Sequence, residues 1–427
     1  MCTAKQRHTG TDLVGDPESR GIPRVEEGIA VQPMKIRVNG ASSVMQIDMS
    51  QRIRACASQG LKAVIWVALI AGIGPALSAP VIQQVSGALN HKGTITISGT
   101  SFGSKATAAP LVWDDATGSD IFDKWDGAWP NLVAGYNTNY YSPMRGISPP
   151  HSHDTRYIAG AHATTAGAYS GEMVMFYKHI TLQAFPFYVY ASWYQRADDA
   201  WIFGGDNNYK TFDYSAGGEP MEANNWYTAY GPPYPGNRTD SPQWLFTDDG
   251  GSLSNPDVKG HNAWWETAVN PMAGKWSKVE IAIKVTDQTN GYINVRENGH
   301  QVLGYVGPTD KYPGTQRSIG IGGFARMVGH TSNWRYFDDA YLDTTLSRVV
   351  LADKPALSRA TIIENQIPSS WSDGSITATV NLGKFAQGQA AYLFVVDSSG
   401  TPSATGVAVT AGGTAATPNA PSAISVH

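Results

Sequence analysis

In the run MVMFYKHI, Tyr177 and His179 stand two positions apart, so an extended strand turns both to one face. A tyrosine or histidine there can act as the base that takes a proton from carbon next to a carboxylate, and an arginine can neutralise that carboxylate. Arg196, at the end of the run FYVYASWYQR, is the candidate cation. That run poses a question of its own. Phe187, Val189, Ala191 and Trp193 form one face and read as core, while Tyr188, Tyr190, Ser192, Tyr194 and Arg196 form the other. A strand that only met water would carry Thr, Lys, Glu and Ser. Three tyrosines suit the C–H faces of sugar rings, with hydroxyls left to bond the ring substituents. YKTFDY adds Lys210 and Tyr214, and NNWYTAYGPPY adds Trp226 and Tyr230. Any single ring is equally well explained by packing under a loop or against a neighbouring module; the cluster as a whole reads as a ligand groove.

Other chemistry is poorly supplied. Two-carboxylate glycoside hydrolysis needs acids on one strand face, as in a Glu-x-Asp-x-x-Glu pattern, and no such pattern occurs. Glu280 has Lys278 and Lys284 as its charged same-face neighbours and reads as an outward ladder of mixed charge. The loop HSHDTRYIAGAH holds His151, His153, Asp154 and His162 without a recognised zinc spacing and reads as surface. Asp338 and Asp339 in FDDAYLD are the candidates for a structural calcium, ahead of Asp248, Asp249, Asn255 and Asp257; turn formation is the other explanation for both groups. No cofactor is otherwise required.

The elements that must position these groups are strands. Beyond residue 80 apolar residues come in short alternating runs broken by Gly, Pro, Asn and Asp, with TITISG, SKVEIAIKV and SITATV as clear cases. Asn298-Gly299 between two such runs predicts a tight hairpin. A formal net charge of −4 argues against a protein built to grip phosphate backbones, so nucleic acid is not an expected partner. Both cysteines, Cys2 and Cys56, precede an apolar run from Ala63 to about Gly74. That run has basic residues before it and small ones after it, the pattern of a secretory signal too short to span a bilayer comfortably. Residues 1–79 are therefore expected to be a leader, and the mature chain to be secreted, cysteine-free and without a membrane span.

The stretch from Pro80 through TITISG to GTSFGS resembles the opening of an IPT/TIG module, a small immunoglobulin-like fold. A matching ending, WSDGSITATV with AAYLFVVDSSGTPSATGVAV, stands far away, after residue 370. Between them, the aromatic strand 187–196, GKWSKVEIAIKV with its hairpin, and NWRYFDDAYLD resemble the concanavalin A-like lectin and glucanase sandwiches. The expected architecture is all-β: a concanavalin A-like jelly-roll sandwich over 113–351, inserted in or flanked by an immunoglobulin-like β-sandwich made of 80–112 and 352–411. Residues 412–427 read as a linker or tail. The resemblance implies glycan binding on the concave sheet, with the even-numbered face of 187–196 as its floor. The expected function is carbohydrate binding, with a polysaccharide or cell-surface glycan as partner. A uronate-specific polysaccharide lyase using Tyr177, His179 and Arg196 is the first alternative, and a structural or adhesion protein of the cell surface the second.

Overall fold

Strand formation follows the alternation read above. The computed structural model describes residues 78–130, 146–161, 173–181, 184–199, 208–216, 226–230, 243–248, 261–266, 273–310, 317–326 and 334–414. The predicted leader up to residue 77, the tail from 415, His162 and most of the Asp248–Asp257 loop lie outside them. Helical structure among the described residues is confined to short 3-10 turns such as Ile121–Asp123 and Leu357–Arg359, and no helix there is long and apolar enough to cross a membrane.

The chain opens with β1 (Val81–Gly87) and β2 (Thr94–Thr100). It continues with β3 (Val112–Asp114), β4 (Gly127–Pro130), β5 (Ile158–Ala161), β6 (Met173–Ile180), β7 (Phe187–Ala197), β8 (Asn208–Ala216) and β9 (Trp226–Tyr230). Next come β10 (Gln243–Asp248), β11 (His261–Glu266), β12 (Ser277–Val285), β13 (Tyr292–Glu297), β14 (His300–Val306), β15 (Arg317–Arg326) and β16 (Trp334–Asp343). It closes with β17 (Arg348–Ala352), β18 (Ile363–Trp371), β19 (Ser375–Thr379), β20 (Ala390–Val396) and β21 (Val407–Thr410).

Strands β3 to β16 make two antiparallel sheets packed face to face, the expected all-β sandwich. One sheet runs β14-β13-β12-β7-β16-β3, with β5 also on β16; the other runs β11-β10-β9-β8-β15-β6-β4. The apolar face of β7 enters the core between them: Val189, Ala191 and Trp193 meet Phe176, Phe212, Ile319 and Ile321 from the other sheet. Trp193 stacks on Phe212 with centroids 5.8 Å apart. Each large apolar side chain buried there contributes about 1.5–3 kcal/mol, which is what holds the sheets together. At the β13–β14 turn both Asn298 and Gly299 take positive φ, 48° and 78°, as the hairpin demands. A side chain at Gly299 would meet the Ala360 carbonyl 2.2 Å away, so the hairpin tip sits flush on the connection between β17 and β18.

The remaining strands form a third sheet, β1-β2-β19-β18-β17-β20-β21. Strands from both ends of the described chain therefore share one sheet, with β2 and β19 paired directly through Thr96 and Thr377. Strand β18 pairs with β17 through Ile363 to Gln366 and with β19 through Ile367 to Trp371, so the sheet turns a corner along it. Its two ends meet where Ala88 bridges Thr414, enclosing a core of Val85, Ile95, Ile97, Leu351, Ile376, Leu393 and Val395. Because β17 belongs to this flanking sheet, the sheet resumes at Arg348, ahead of the boundary at 352 expected from sequence. Pro75–His427 forms one compact unit, so the sandwich and the flanking sheet are packed as one body. If the flanking sheet carries its own core, deleting 113–347 and joining the ends with a flexible linker leaves a chain with strand-type circular dichroism and a cooperative thermal transition. A featureless melt would show instead that the sheet depends on the sandwich.

Candidate functional site

The outer face of the β4-β6-β15-β8 region gathers the polar groups suited to a ligand. Val174, Phe176 and Ile180 of β6 enter the core, so Met175, Tyr177 and His179 lie on the opposite face. Register then sets Gly320 of β15 beside Tyr177, Ser318 beside His179, and Asp213 of β8 across from Gly320. The Tyr177 and His179 rings meet edge to face with centroids 5.3 Å apart. His179 Nδ1 lies 3.0 Å from Ser318 Oγ, a contact that fixes the ring and turns Nε2 to the other side. Asp126 secures the backbone beneath: its carboxylate accepts from the His179 amide at 2.8 Å and from Lys178 Nζ at 2.6 Å. Partial burial opposes the charge on Asp126, but these donors prevail and hold its pKa below the ordinary carboxylate value. Two glycines make room. A Cβ on Gly127 would stand 2.2 Å from the Tyr177 ring, and one on Gly320 would stand 2.4 Å from Met175 Sδ. Tyr177 is 9% exposed and His179 half-buried.

The tyrosine face of β7 has a different fate. It lies on the other sheet and is covered by the flanking sheet, so the expected groove residues Tyr190 and Tyr194 are each 1% exposed. Tyr190 Oη donates to Glu280 Oε1 at 2.8 Å, its ring lies under the Arg348 guanidinium at 4.1 Å, and the neighbouring Ser192 Oγ accepts from Asn365 Nδ2 at 2.7 Å. Tyr194 donates to Glu364, which is also paired with Lys278, while Lys278 and Lys384 each lie 4.9 Å from the Tyr194 ring. Burial, reinforced by Glu280 and Glu364, raises both phenols above the ordinary tyrosine value and keeps them as neutral donors. The platform expected for sugars is thus a packing face. Tyr188 is half-buried in the same layer beside Tyr190, Tyr341 and Leu346. Glu280 and Lys278, expected to face water, are buried in that layer.

Three further expectations change for the same reason of sheet membership. Arg196 sits on β7, in the opposite sheet from Tyr177 and His179, and pairs with Asp199 at 2.6 Å, so the expected Tyr–His–Arg triple is not assembled. Tyr214 points inward; its hydroxyl donates to Asp310 at 2.9 Å and accepts from Arg317 Nε at 3.0 Å. Lys210 is half-buried on β8, where its carbonyl accepts from Arg335 Nη1 at 2.7 Å. Trp226 and Tyr230 begin and end β9 in the outer-facing sheet; their side chains lie outside the described residues.

A second polar cluster lies where the sandwich meets the flanking sheet. On one edge of β16, β5 pairs with Trp334 to Phe337 and β3 with Ala340 to Leu342, leaving Asp338 and Asp339 between them. The pairing with β7 shifts register at the same point, and Asp339 takes φ of +49°. This bulge breaks the strand alternation and lets both carboxylates serve one cluster. His151 Nε2 stands 3.0 Å from Asp339 Oδ2 and 3.2 Å from Asp154 Oδ2, and Asn381 Nδ2 donates to Asp339 at 3.0 Å. Burial and then the nearby Asp339 charge push Asp154 up to about 7 and Asp338 well above its usual range. For Asp339 burial acts the same way, but His151, Lys278 and Asn381 outweigh it and keep the group ionised. Asp338 and Asp339 were expected to face calcium with oxygen ligands alone; the structure adds His151 and Asp154 from the loop read as plain surface.

No protein-family model matches the sequence and no curated protein matches it. Solved structures with a similar arrangement of strands include an endo-beta-1,4-glucuronan lyase from the fungus Trichoderma reesei, at 12% identity and TM-score 0.36, spanning 52% of this chain and 96% of that one. The alginate lyase Aly36B matches at 13% identity and TM-score 0.36 over 62% of this chain and 98% of its own. The cellulose induced protein Cip1 matches at 14% identity and TM-score 0.34 over 55% of this chain and 97% of its own. These values describe a likeness in the course of the chain and say nothing of individual residues.

Sequence reasoning did not find Ser318, Asp126 or Asn381. A Ser-Ile-Gly-Ile-Gly-Gly strand carries a usable signal, since small residues on alternate positions leave room for neighbours, but the others act only through partners far away in sequence. Replacing Tyr194 by Ala should lower stability by about 3–5 kcal/mol through the cavity it leaves. Replacing it by Phe should cost about 1–3 kcal/mol, because Glu364 loses a donor while remaining buried. Urea titrations measure both, and glycan retention by the Phe variant should be unchanged.

Proposed function

We propose that the protein is an exported carbohydrate-binding protein that holds a polysaccharide on the outer face of the sheet carrying β6, β15 and β8. The observation that carries this reading is the Tyr177–His179 pair on that face, anchored by Ser318 and Asp126. A ring edge and an imidazole supply the mix of apolar and hydrogen-bonding surface that a sugar chain requires. With Tyr190 and Tyr194 buried, this reading rests on the other sheet and keeps the same class of ligand. Export rests on the leader pattern within residues 1–79, and a secreted chain beginning near residue 80 is its check.

The same pair favours a second reading, a lyase acting on a uronate-containing glycan. In β-elimination the base takes the proton on the carbon next to the carboxylate, a double bond forms, and the bond to the glycosidic oxygen breaks, with that oxygen leaving protonated. A phenol and an imidazole in contact can divide the roles of base and acid. With Arg196 on the other sheet, neutralising the carboxylate falls to a different group. Incubating the chain with a panel of acidic and neutral polysaccharides, while following ultraviolet absorbance of the unsaturated uronate and retention on glycan columns, separates the two. Retention without absorbance supports the binder, and rising absorbance makes it a lyase. His179→Ala and Tyr177→Phe should each reduce either signal about tenfold or more, the loss of one good hydrogen bond. No retention and no absorbance with any glycan would sink both readings and favour a structural protein.

A further inference from the structure

We propose that His151, Asp154 and Asp338 bind a divalent transition-metal ion of the zinc or manganese class, and that this ion locks the sandwich onto the flanking sheet. The three residues each offer a donor atom, and these atoms lie within 4.8 Å of one another, with all three side chains buried. Donors about 2.0–2.2 Å from one tetrahedral ion stand roughly 3.3–3.6 Å apart, so the three side chains must draw together by about 1 Å to close the shell. Asp338 Oδ1 accepts from the Asp339 amide at 2.9 Å, but other carboxylate oxygens in the cluster are left without a donor. Neither oxygen of Asp154, which is 8% exposed, has a hydrogen-bond donor, nor does Oδ2 of Asp338, which is 0% exposed. Asp339 Oδ1 is likewise without a donor. Buried carboxylate oxygens are costly unless they are hydrogen-bonded, paired or coordinated to metal.

Charge points the same way. Asp154, Asp338 and Asp339 crowd one place, and Asp114 and Asp115 add to the field from β3 and the residue after it. Against them stand His151; Lys278, which is committed to Glu364; Lys92, which is 3.4 Å from Asp115; and Lys124, which pairs with Asp114 at 2.9 Å, so that Asp114 and Asp115 are already compensated and the excess lies on Asp154, Asp338 and Asp339. Two positive charges delivered at the centre would correct this imbalance. The class of ion follows from the donors: an imidazole nitrogen with carboxylates suits borderline transition ions, whereas calcium takes six to eight oxygens. His151 Nε2 faces both Asp154 and Asp339, so it is the donor atom, and the ion takes the place of its proton.

The locking role rests on what surrounds these ligands. Asn381, from the turn after β19, holds Asp339 at 3.0 Å; His91, from the turn after β1, reaches Asp154 Oδ1 at 3.9 Å. His153, two residues from His151, stacks on His91 at 4.9 Å and contacts the Phe385 carbonyl at 3.0 Å. The 151–154 loop is thus gripped by the flanking sheet while carrying two of the three ligands. Partners of this kind orient metal ligands and are part of the site.

The test uses the full chain stripped with a chelator and then equilibrated with Zn²⁺, Mn²⁺ or Ca²⁺. Metal content after dialysis, thermal midpoint and amide hydrogen exchange are read for wild type, Asp154→Asn and Asp338→Asn. The expected result is one equivalent of zinc or manganese that both variants lose, and a midpoint raised by about 4 °C or more in wild type alone. Exchange at the Glu364 to Gln366 amides should slow on loading. Equal metal retention by wild type and variants, an unmoved midpoint, or a shift with calcium alone would overturn the site or its ion class. Binding without slower exchange would overturn the lock. A stability gain in metal-free Asp154→Asn with no metal response in wild type would show a carboxylate that is merely strained.

Discussion

One carboxylate sealed from water holds the two halves of this molecule in register. Glu364, on the flanking sheet, accepts from the Tyr194 hydroxyl, pairs with the Lys278 ammonium and accepts the Lys384 amide, so partners from β7, β12 and its own sheet converge on one side chain. A buried ion pair of this kind adds little stability over a well-packed apolar substitute, but removing one partner costs about 3–5 kcal/mol because a charge is left stranded. Its value is specificity. The close fit extends to the backbone: Gly383 has φ of +49°, and a Cβ there would lie 2.2 Å from the Glu364 carboxyl carbon. The seam between sandwich and flanking sheet follows from that alignment.

The seam also explains what could be learned from the chain alone. The alternation in FYVYASWYQR correctly separated a core face from a polar one, because the core face needs only a period of two and apolar side chains. It could not say what the polar face meets. Tyrosine is equally suited to a sugar, a loop or a second domain, and the residue that settles the matter, Glu364, is 170 positions from Tyr194. Tyr177 and His179 were legible as a pair because two-residue spacing on a strand forces a shared face. Arg196 was misplaced because spacing along one strand carries no information about which sheet the next strand joins.

The aspartate pair shows the limit from another side. Regular alternation would send Asp338 and Asp339 to opposite faces, and only the register shift with positive φ at Asp339 brings them together. A bulge has no reliable signature in a run such as WRYFDDAYLD. The histidine loop was visible, yet its meaning depended on a strand nearly two hundred residues away, so the mixed nitrogen and oxygen donor set emerged only in three dimensions.

The division of the flanking sheet between the two ends of the described chain bears on how the protein is made. Strand β2 finds its neighbour β19 only after the whole sandwich has been synthesised, through partners such as Thr96 and Thr377. At ordinary rates of translation that wait is on the order of 10 to 50 s. During it the β1–β2 hairpin presents an open edge, a surface prone to pairing with other chains. Its short length and the polar residues Thr94, Thr96 and Ser98 along that edge keep the exposed strand hydrophilic on one side. Late closure of such distant strands makes assembly of this sheet a slow, high-contact-order event, so the interval between synthesis and closure is when the chain is most exposed to misassembly.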